Sequence, residues 1–357
     1  MTGTAKCPPG AARRWLAIGA VVALLGAALV APWRLDAYTT SILARILVLG
    51  LVGVSVALLT GLAGLPTLGQ TGPYAAGAYA GALVGMHLSA VGVVQVLAGA
   101  AAGALFAACT VPLVVYARGV VVLMITLAIG ELTVTAASRW RTVTGGTDGL
   151  AGMPPIRPVW GMAPLDGDRA RYLYALVVVA VVVTAVLLVL RTPAGLLLRA
   201  SRDDEARMRA SGHRVTGYLA LAFVTAGAVA GVAGSLLVTV QQYVSPADFA
   251  FDISALLLLG VVIGGVASIG GALAGTALVV AVRDWLAGLL PGHTPLLLGG
   301  LFVLTAYLFP RGVVHVRADL ATLLRSRIRP VAARPGASAA DGPGDPVDRA
   351  ADSEVTV

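Results

Sequence analysis

Glu131 interrupts the apolar run "VVLMITLAIGELTVTAA". An ionised carboxylate in a bilayer core costs about 3 kcal/mol on insertion scales, so it must meet a partner or water. Two readings stay open for it: it contacts a substrate ammonium, or it holds Arg45 or a backbone group across helices. Other chemistry is sparse. The basic residues are 24 Arg and one Lys, Lys6. A phosphate-binding loop needs a lysine beside its glycines, and Lys6 lies in a polar leader outside any such motif. A lysine Schiff base is excluded on the same ground. If ATP drives this protein, another chain binds the ATP and its Mg, and no cofactor is expected on this one. The four His (87, 213, 293 and 315) do not cluster, and neither H-E-x-x-H nor C-x-x-C occurs, so no metal site is expected. Cys109 lies in an apolar run and reads as a small core residue. No nucleophile–base pair is in view, and an enzyme is not expected.

Two further groups are candidates. Thr67, Gln70 and Tyr74 belong to a glycine-rich apolar segment, "GLAGLPTLGQTGPYAAGAYAGALV". A broken helix there exposes backbone donors that can meet a carboxylate, and a half-helix N-terminus adds a favourable field. In "TVTGGTDGL" (142–150), Gly145 and Gly146 permit a tight turn, and Asp148 can cap a following helix. A plain structural turn explains that block equally well.

The elements that position these residues follow from composition. The chain has 357 residues, 58% hydrophobic and 12% charged. Soluble domains carry about 25% charged residues, and a soluble fold of this composition would expose large apolar patches. The fold class is therefore all-α and polytopic in a membrane. A crossing helix needs about 20 apolar residues. Ten spans are expected, near 15–31, 41–62, 67–88, 91–116, 119–139, 172–190, 215–242, 253–268, 270–289 and 295–310. The first reads as an uncleaved helix rather than a signal peptide, because "ALVAPW" offers a poor cleavage site. The third is broken or re-entrant, and only "ASIGG" separates the eighth from the ninth.

With the N-terminus inside, the inside segments hold 17 basic residues and the outside segments 6. This asymmetry puts both termini in the cytoplasm. The chain then divides into a leader (1–14), a transmembrane domain (15–310) with a cytoplasmic loop (191–214), and a tail (311–357) that reads as largely disordered. Gly-rich stretches at 61–69 and 260–275 fall in the two halves of the chain. They fit inverted repeats flanking a path, or simple close packing through small residues.

The loop "RTPAGLLLRASRDDEARMRASGHRV" follows 19 uncharged residues, and the chain turns apolar again after it. Pro193 suits a first helical turn and Gly212 a terminator, while Glu205 and Arg209 form an i, i+4 pair. The spacing predicts a helix over 193–212. It is too short and charged to cross a bilayer but long enough to dock on another protein. A connector made basic by topology alone needs only a few residues.

At this point a resemblance becomes specific. Gly195, Leu198, Arg199, Ala200, Arg202, Glu205, Ala210 and Gly212 match the pattern "GRALRAIRENE…A…G" of LivM-type branched-chain amino-acid ABC transporter permeases. "GLAGLPTLGQTGPYAAGAYAGALV", "VVLMITLAIGELTVTAASRWRTVTGGTDGLAGMP" and "SPADFAFDISALLLLGVVIGGVASIGGALAGTAL" resemble that family's blocks in the same order, over roughly residues 40 to 310. The resemblance implies a plasma-membrane permease subunit of a bacterial binding-protein-dependent importer. Its partners would be ATPase subunits, a second permease and an extracytoplasmic solute-binding protein. Gly195, Arg199, Arg202, Asp203, Glu205 and Gly212 would dock the ATPase. Thr67, Gln70, Tyr74, Glu131, Gly145 and Asp148 would lie along the substrate path. Gln70 stands where the family has His, which turns a titratable position neutral. Permeases for urea, amides or sugars share these blocks. An ion-coupled secondary transporter would need more intramembrane ionisable groups than Glu131, Arg45 and the pair Arg283 and Asp284, which read as neutralising each other.

Overall fold

The structure, a computed structural model, describes residues 28–117, 119–203, 205–212, 214–266 and 268–289, with single positions at 26, 296, 299 and 300. The leader, most of the first and tenth expected spans, and the tail lie outside the described residues. So do the side chains of Asp203 and Glu205.

The described chain is helical almost throughout. Helix α1 (Ala37–Ala57) runs into a π-helical turn, Leu58–Ala63. Then come α2 (Thr71–His87), α3 (Gly92–Val114), α4 (Val120–Arg139) and α5 (Asp168–Val189). Helix α6 (Pro193–Asp203) opens the charged loop, and a further helical turn covers Glu205–Ala210. Helices α7 (Val215–Gln241), α8 (Phe251–Gly264) and α9 (Ile269–Leu289) follow, and a single helical turn, Arg141–Thr144, lies between α4 and α5. Two short strands, β1 (Leu150–Ala151) and β2 (Tyr243–Val244), pair antiparallel.

Six described stretches are long and apolar enough to cross a membrane: 37–63, 92–114, 120–139, 168–189, 215–241 and 246–264. The expected third span divides as its composition predicts. Only residues 71–87 are helical, and the chain before them is irregular back to Gly64. The expected helix over 193–212 is helical on either side of residue 204, and Gly212 ends it with φ at 82°.

Helix α7 is the centre of the bundle: over its apolar 18-residue stretch 78% of residues are buried, against 17% in α3 and 22% in α4. Glycine makes that position available. A methyl group on Gly231 would overlap the Gly99 carbonyl of α3, and one on Gly77 of α2 would overlap the backbone of Gly231. Gly103 meets Gly227, and Gly234 meets the Tyr74 carbonyl, in the same way. In lipid, helices associate through such van der Waals packing rather than through a hydrophobic force. A second seam joins α1, α8 and α9, where Gly53 and Gly260 both close on Thr276 and Gly264 closes on Gly271.

The loops sort to two ends. β1 pairs with β2, and the Gly92 and Arg157 amides donate to the carbonyls of Arg157 and Ala90, which gathers the 88–92, 150–157 and 243–244 segments. At the opposite end the charged loop meets the end of α1. Two expectations change. Cys109 is exposed on α3, facing away from the core. Arg283 pairs with Asp252 at 3.6 Å rather than with Asp284, because adjacent helical residues point to different faces.

Gly231→Ala is expected to lower the thermal midpoint in detergent sharply, since overpacking a filled interior costs about 1–3 kcal/mol. Gly217→Ala, in open space on the same helix, is expected to leave it unchanged or slightly higher. Size-exclusion profiles after a heating series check both, and an unchanged midpoint for Gly231→Ala contradicts the packing described.

Candidate functional site

The site begins where α1 loses its regular winding. The turn Leu58–Ala63 is π-helical, and Gly64 ends it in the left-handed region with φ at 72°. A π-turn carries an extra residue and leaves backbone groups in irregular positions. Here the amides of Gly64 and Leu65 both donate to the Leu59 carbonyl, Leu65 at 3.0 Å. The chain then crosses the bundle interior to Gln70 without forming a helix. Thr71, at the start of α2, packs against Gly130, which lies midway along α4. The irregular segment therefore reaches the mid-depth of the bundle, where backbone polar groups need internal partners.

Side chains supply those partners. The Leu68 amide donates to Thr126 Oγ1 at 3.2 Å, and the Gly69 amide to Thr67 Oγ1 at 3.2 Å. Ser55 donates to the Val52 carbonyl at 2.7 Å, and its hydroxyl also lies 3.3 Å from Gln70 Oε1. The hydroxyls of Thr71 and Ser254 are 2.9 Å apart. Thr67, Gln70, Thr71, Ser55, Thr126 and Ser254 are all buried. The space among Val56, Thr67, Leu68, Gln70, Thr71, Ser254 and Leu257 is too small for a water molecule. The polar segment is sealed at this level.

An aromatic group closes the site on the side of β2. The turn Pro246–Phe249 is held by a capping box in which the Ser245 amide donates to Asp248 Oδ2 at 3.0 Å. It delivers Phe249 edge-on to Tyr74, with ring centroids 5.0 Å apart, and tilted against Tyr79 at 5.8 Å. The Tyr74 and Tyr79 hydroxyls and the Gln70 amide nitrogen are buried without a hydrogen-bond partner. Two larger grooves, of about 320 Å³ beside α5, α6 and α7 and about 720 Å³ beside α3 and α5, have apolar walls, and none of these groups lines them. Among the described residues, no three His, Cys, Asp or Glu side chains gather to hold a metal ion.

Of the path residues expected from the sequence, Thr67, Gln70 and Tyr74 come together. Glu131 does not join them. It follows Gly130 but points from the outward face of α4, in an exposed stripe with Met124, Ala128 and Thr135. Among the described residues, no ion pair or hydrogen bond joins it to Arg45. Gly145 makes the expected turn, with φ at 75°, and a methyl group there would overlap the Gly149 carbonyl. Asp148 caps no helix, because β1 follows it. Its carbonyl instead accepts a hydrogen bond from the Tyr243 hydroxyl at 3.0 Å, tying the turn before β1 to β2.

The charged loop shows two faces. Leu198 and Ser201 are buried against the bundle, while Leu196 and Arg199 are exposed. Gly195 packs on its own chain, since a Cβ there would lie 2.5 Å from the Leu190 carbonyl oxygen. The Arg202 guanidinium donates to the Gly61 carbonyl in the π-turn.

Sequence reasoning missed Ser55, Thr126, Ser254 and Phe249. The first three are hydroxyls in apolar helices, where back-bonding to the preceding turn is their ordinary fate. Phe249 had a usable signal, the S-x-x-D spacing of Ser245 and Asp248.

The chain matches the family described as branched-chain amino acid transport system / permease component over residues 38–306. Similar proteins include the high-affinity branched-chain amino acid transport system permease proteins LivM of Escherichia coli K12 and Salmonella typhimurium LT2. Each is 29% identical over 320 residues, covering 82% of this chain and 74% of the relative. No solved structure matches the chain.

Thr71→Val is expected to cost about 1 kcal/mol through the lost bond to Ser254, read as a drop of a few degrees in thermal midpoint. Gln70→Leu removes a buried donor that has no partner, so it is expected to hold or raise the midpoint while transport falls at least tenfold. A stable variant that transports normally would show that Gln70 is a packing residue.

Proposed function

The chain belongs to the branched-chain amino acid transport system permease family, and on that footing we propose that it is the membrane subunit of an ATP-driven, binding-protein-dependent importer for branched-chain or related amino acids. It is a multi-pass transport subunit, not an enzyme. The observation that carries the mechanism is the seating of α6 beneath the broken segment 58–70. One face of α6 is buried on the bundle and the other, with Arg199, is open. A charged amphipathic helix so placed fits a groove on a partner ATPase. ATP and Mg reside on that partner, and this chain carries no cofactor. Closure of the ATPase dimer moves the loop, and the loop re-sets the polar segment. Only contacts that differ between the two states can drive such a change.

The remaining partners follow from the outward faces. Glu131 lies at mid-depth on a face that none of the described residues covers. Facing lipid it would cost about 3 kcal/mol, so that face of α4 meets a second permease subunit or the water-filled path between them, where a substrate ammonium is the natural ion partner. An extracytoplasmic binding protein delivers the solute at the β1–β2 end. The excess of basic residues in one set of loops supports a bacterial plasma-membrane protein with both termini in the cytoplasm. Helices α2 and α9 add to the six long apolar stretches, and the first and tenth of the ten expected spans lie largely outside the described residues. The breaks between α1 and α2 and between α8 and α9 fit an inverted repeat.

The test is leucine uptake and solute-stimulated ATP hydrolysis in proteoliposomes holding the chain and the partners encoded beside it. Arg199→Glu is expected to reduce ATPase retention on the purified complex and uptake at least tenfold, with the permease still inserted. Uptake that persists without the ATPase and follows a proton or sodium gradient overturns the reading.

A further inference from the structure

The last carbonyls of a helix have no partner within it, and their end of the dipole favours a cation. At the end of α1 that cation comes from a different element. Arg202, on α6, donates from its guanidinium to the Gly61 carbonyl. Gly64 makes room for it. A Cβ at Gly64 would lie 3.0 Å from Arg202 Cγ, and the left-handed φ of 72° excludes most side chains there independently. The arginine thus crosses the one point where the helix has left regular winding. Topology asks the loop for positive charge but not for a guanidinium aimed at a helix end.

We infer that Arg202 is a positioning residue that caps the π-turn of α1 and links the docking helix to the polar segment 64–70. The inference rests on the proposed function for what moves α6, but the mechanical link stands on this chain alone. A π-turn holds one residue more than an α-turn. Rewinding it to α shifts the downstream chain by about one residue, roughly 1.5 Å along the axis and about 100° around it. Residues 64–70 come directly after the turn, and two of their amides are held by the hydroxyls of Thr126 and Thr67. A shift of that size breaks the Leu68–Thr126 bond and moves Gln70 away from Ser55. The π-turn and a regular α-turn are two discrete windings, and Arg202 holds the π-turn. Arginine suits the task because its planar fork keeps its direction, which a lysine ammonium on a flexible stem does not.

Hydrogen exchange of the full chain in nanodiscs tests the link. In Arg202→Ala, amides 61–70 are expected to exchange at least tenfold faster, with α3 and α7 unchanged. Arg202→Lys keeps the charge, loses the fork and is expected to give an intermediate increase of about threefold. Arg191→Ala, a charge loss at the same end of the molecule, is expected to change nothing. Unchanged exchange at 61–70 in Arg202→Ala overturns the inference. So does an increase spread over the whole bundle in both Arg202 variants, which would mark a merely structural residue. In the reconstituted complex, the solute imported per ATP hydrolysed is expected to fall at least fivefold in Arg202→Ala with the ATPase still bound. Loss of the ATPase instead would make Arg202 a docking residue and overturn the positioning role. If wild type shows no ATP-dependent uptake, the importer reading fails, and the exchange result alone decides the link.

Discussion

Backbone touches backbone where α2, α3 and α7 cross, and the site depends on that contact. Gly77 and Gly99 meet Gly231, and Gly103 meets Gly227, at separations that no side chain would permit. In a bilayer a gap between helices gains nothing from hydrophobicity, so close contact is the main source of cohesion. The contact also sets depth. With α2 clamped at Gly77, its first residue, Thr71, falls beside the middle of α4. The polar segment before it then has to lie inside the bundle rather than at its edge.

A broken helix inside a membrane is admissible only if its freed backbone groups are satisfied. Here Thr126 and Thr67 take two amides, Leu59 takes two more, and Arg202 serves the Gly61 carbonyl. None of these partners needs to be strong. Each prevents an unmade bond, which costs more than a made bond gains. The arrangement is stable without being locked, because hydroxyls can exchange partners. Against that background the unpartnered groups stand out. Gln70 Nε2 and the Tyr74 and Tyr79 hydroxyls are buried with nothing to bond, and Phe249 packs edge-on to Tyr74 and tilted against Tyr79. Packing alone would have been served better by apolar residues.

The large features were legible because they rest on composition. Long uncharged runs became helices, and the Gly-rich "GLAGLPTLG" became a break. The charged loop became an amphipathic helix with one buried face. What stayed hidden required partners distant in sequence. No local pattern says that Thr71 meets Ser254 or that Ser55 meets Gln70. Arg202 was expected to dock a partner, and its inward bond to Gly61 depends on how α6 seats against α1. Asp148 was assigned a capping role because its residue type allows one. The chain beyond it became β1, whose pairing with β2 outweighed that preference.

The two outward sides of the bundle differ in what they can tolerate. Beside α5 the surface is grooved and lined by Val, Leu and Ala, with almost no polar area to satisfy. Lipid chains can fill such grooves at no electrostatic cost. Beside α4 the stripe Met124, Ala128, Glu131 and Thr135 is equally open but carries a carboxylate at mid-depth. The small residues Ala128 and Thr135 on either side let another helix approach closely, and the carboxylate needs a cation or water when it does. The buried polar segment lies behind this stripe, with Thr71 packed against Gly130, the residue before Glu131. A path between this chain and a second permease would therefore have Glu131 on its wall and the Thr67–Gln70 segment one helix away. Motion of that segment would reach the wall through α4, at the depth where Gly130 offers no side chain to resist it.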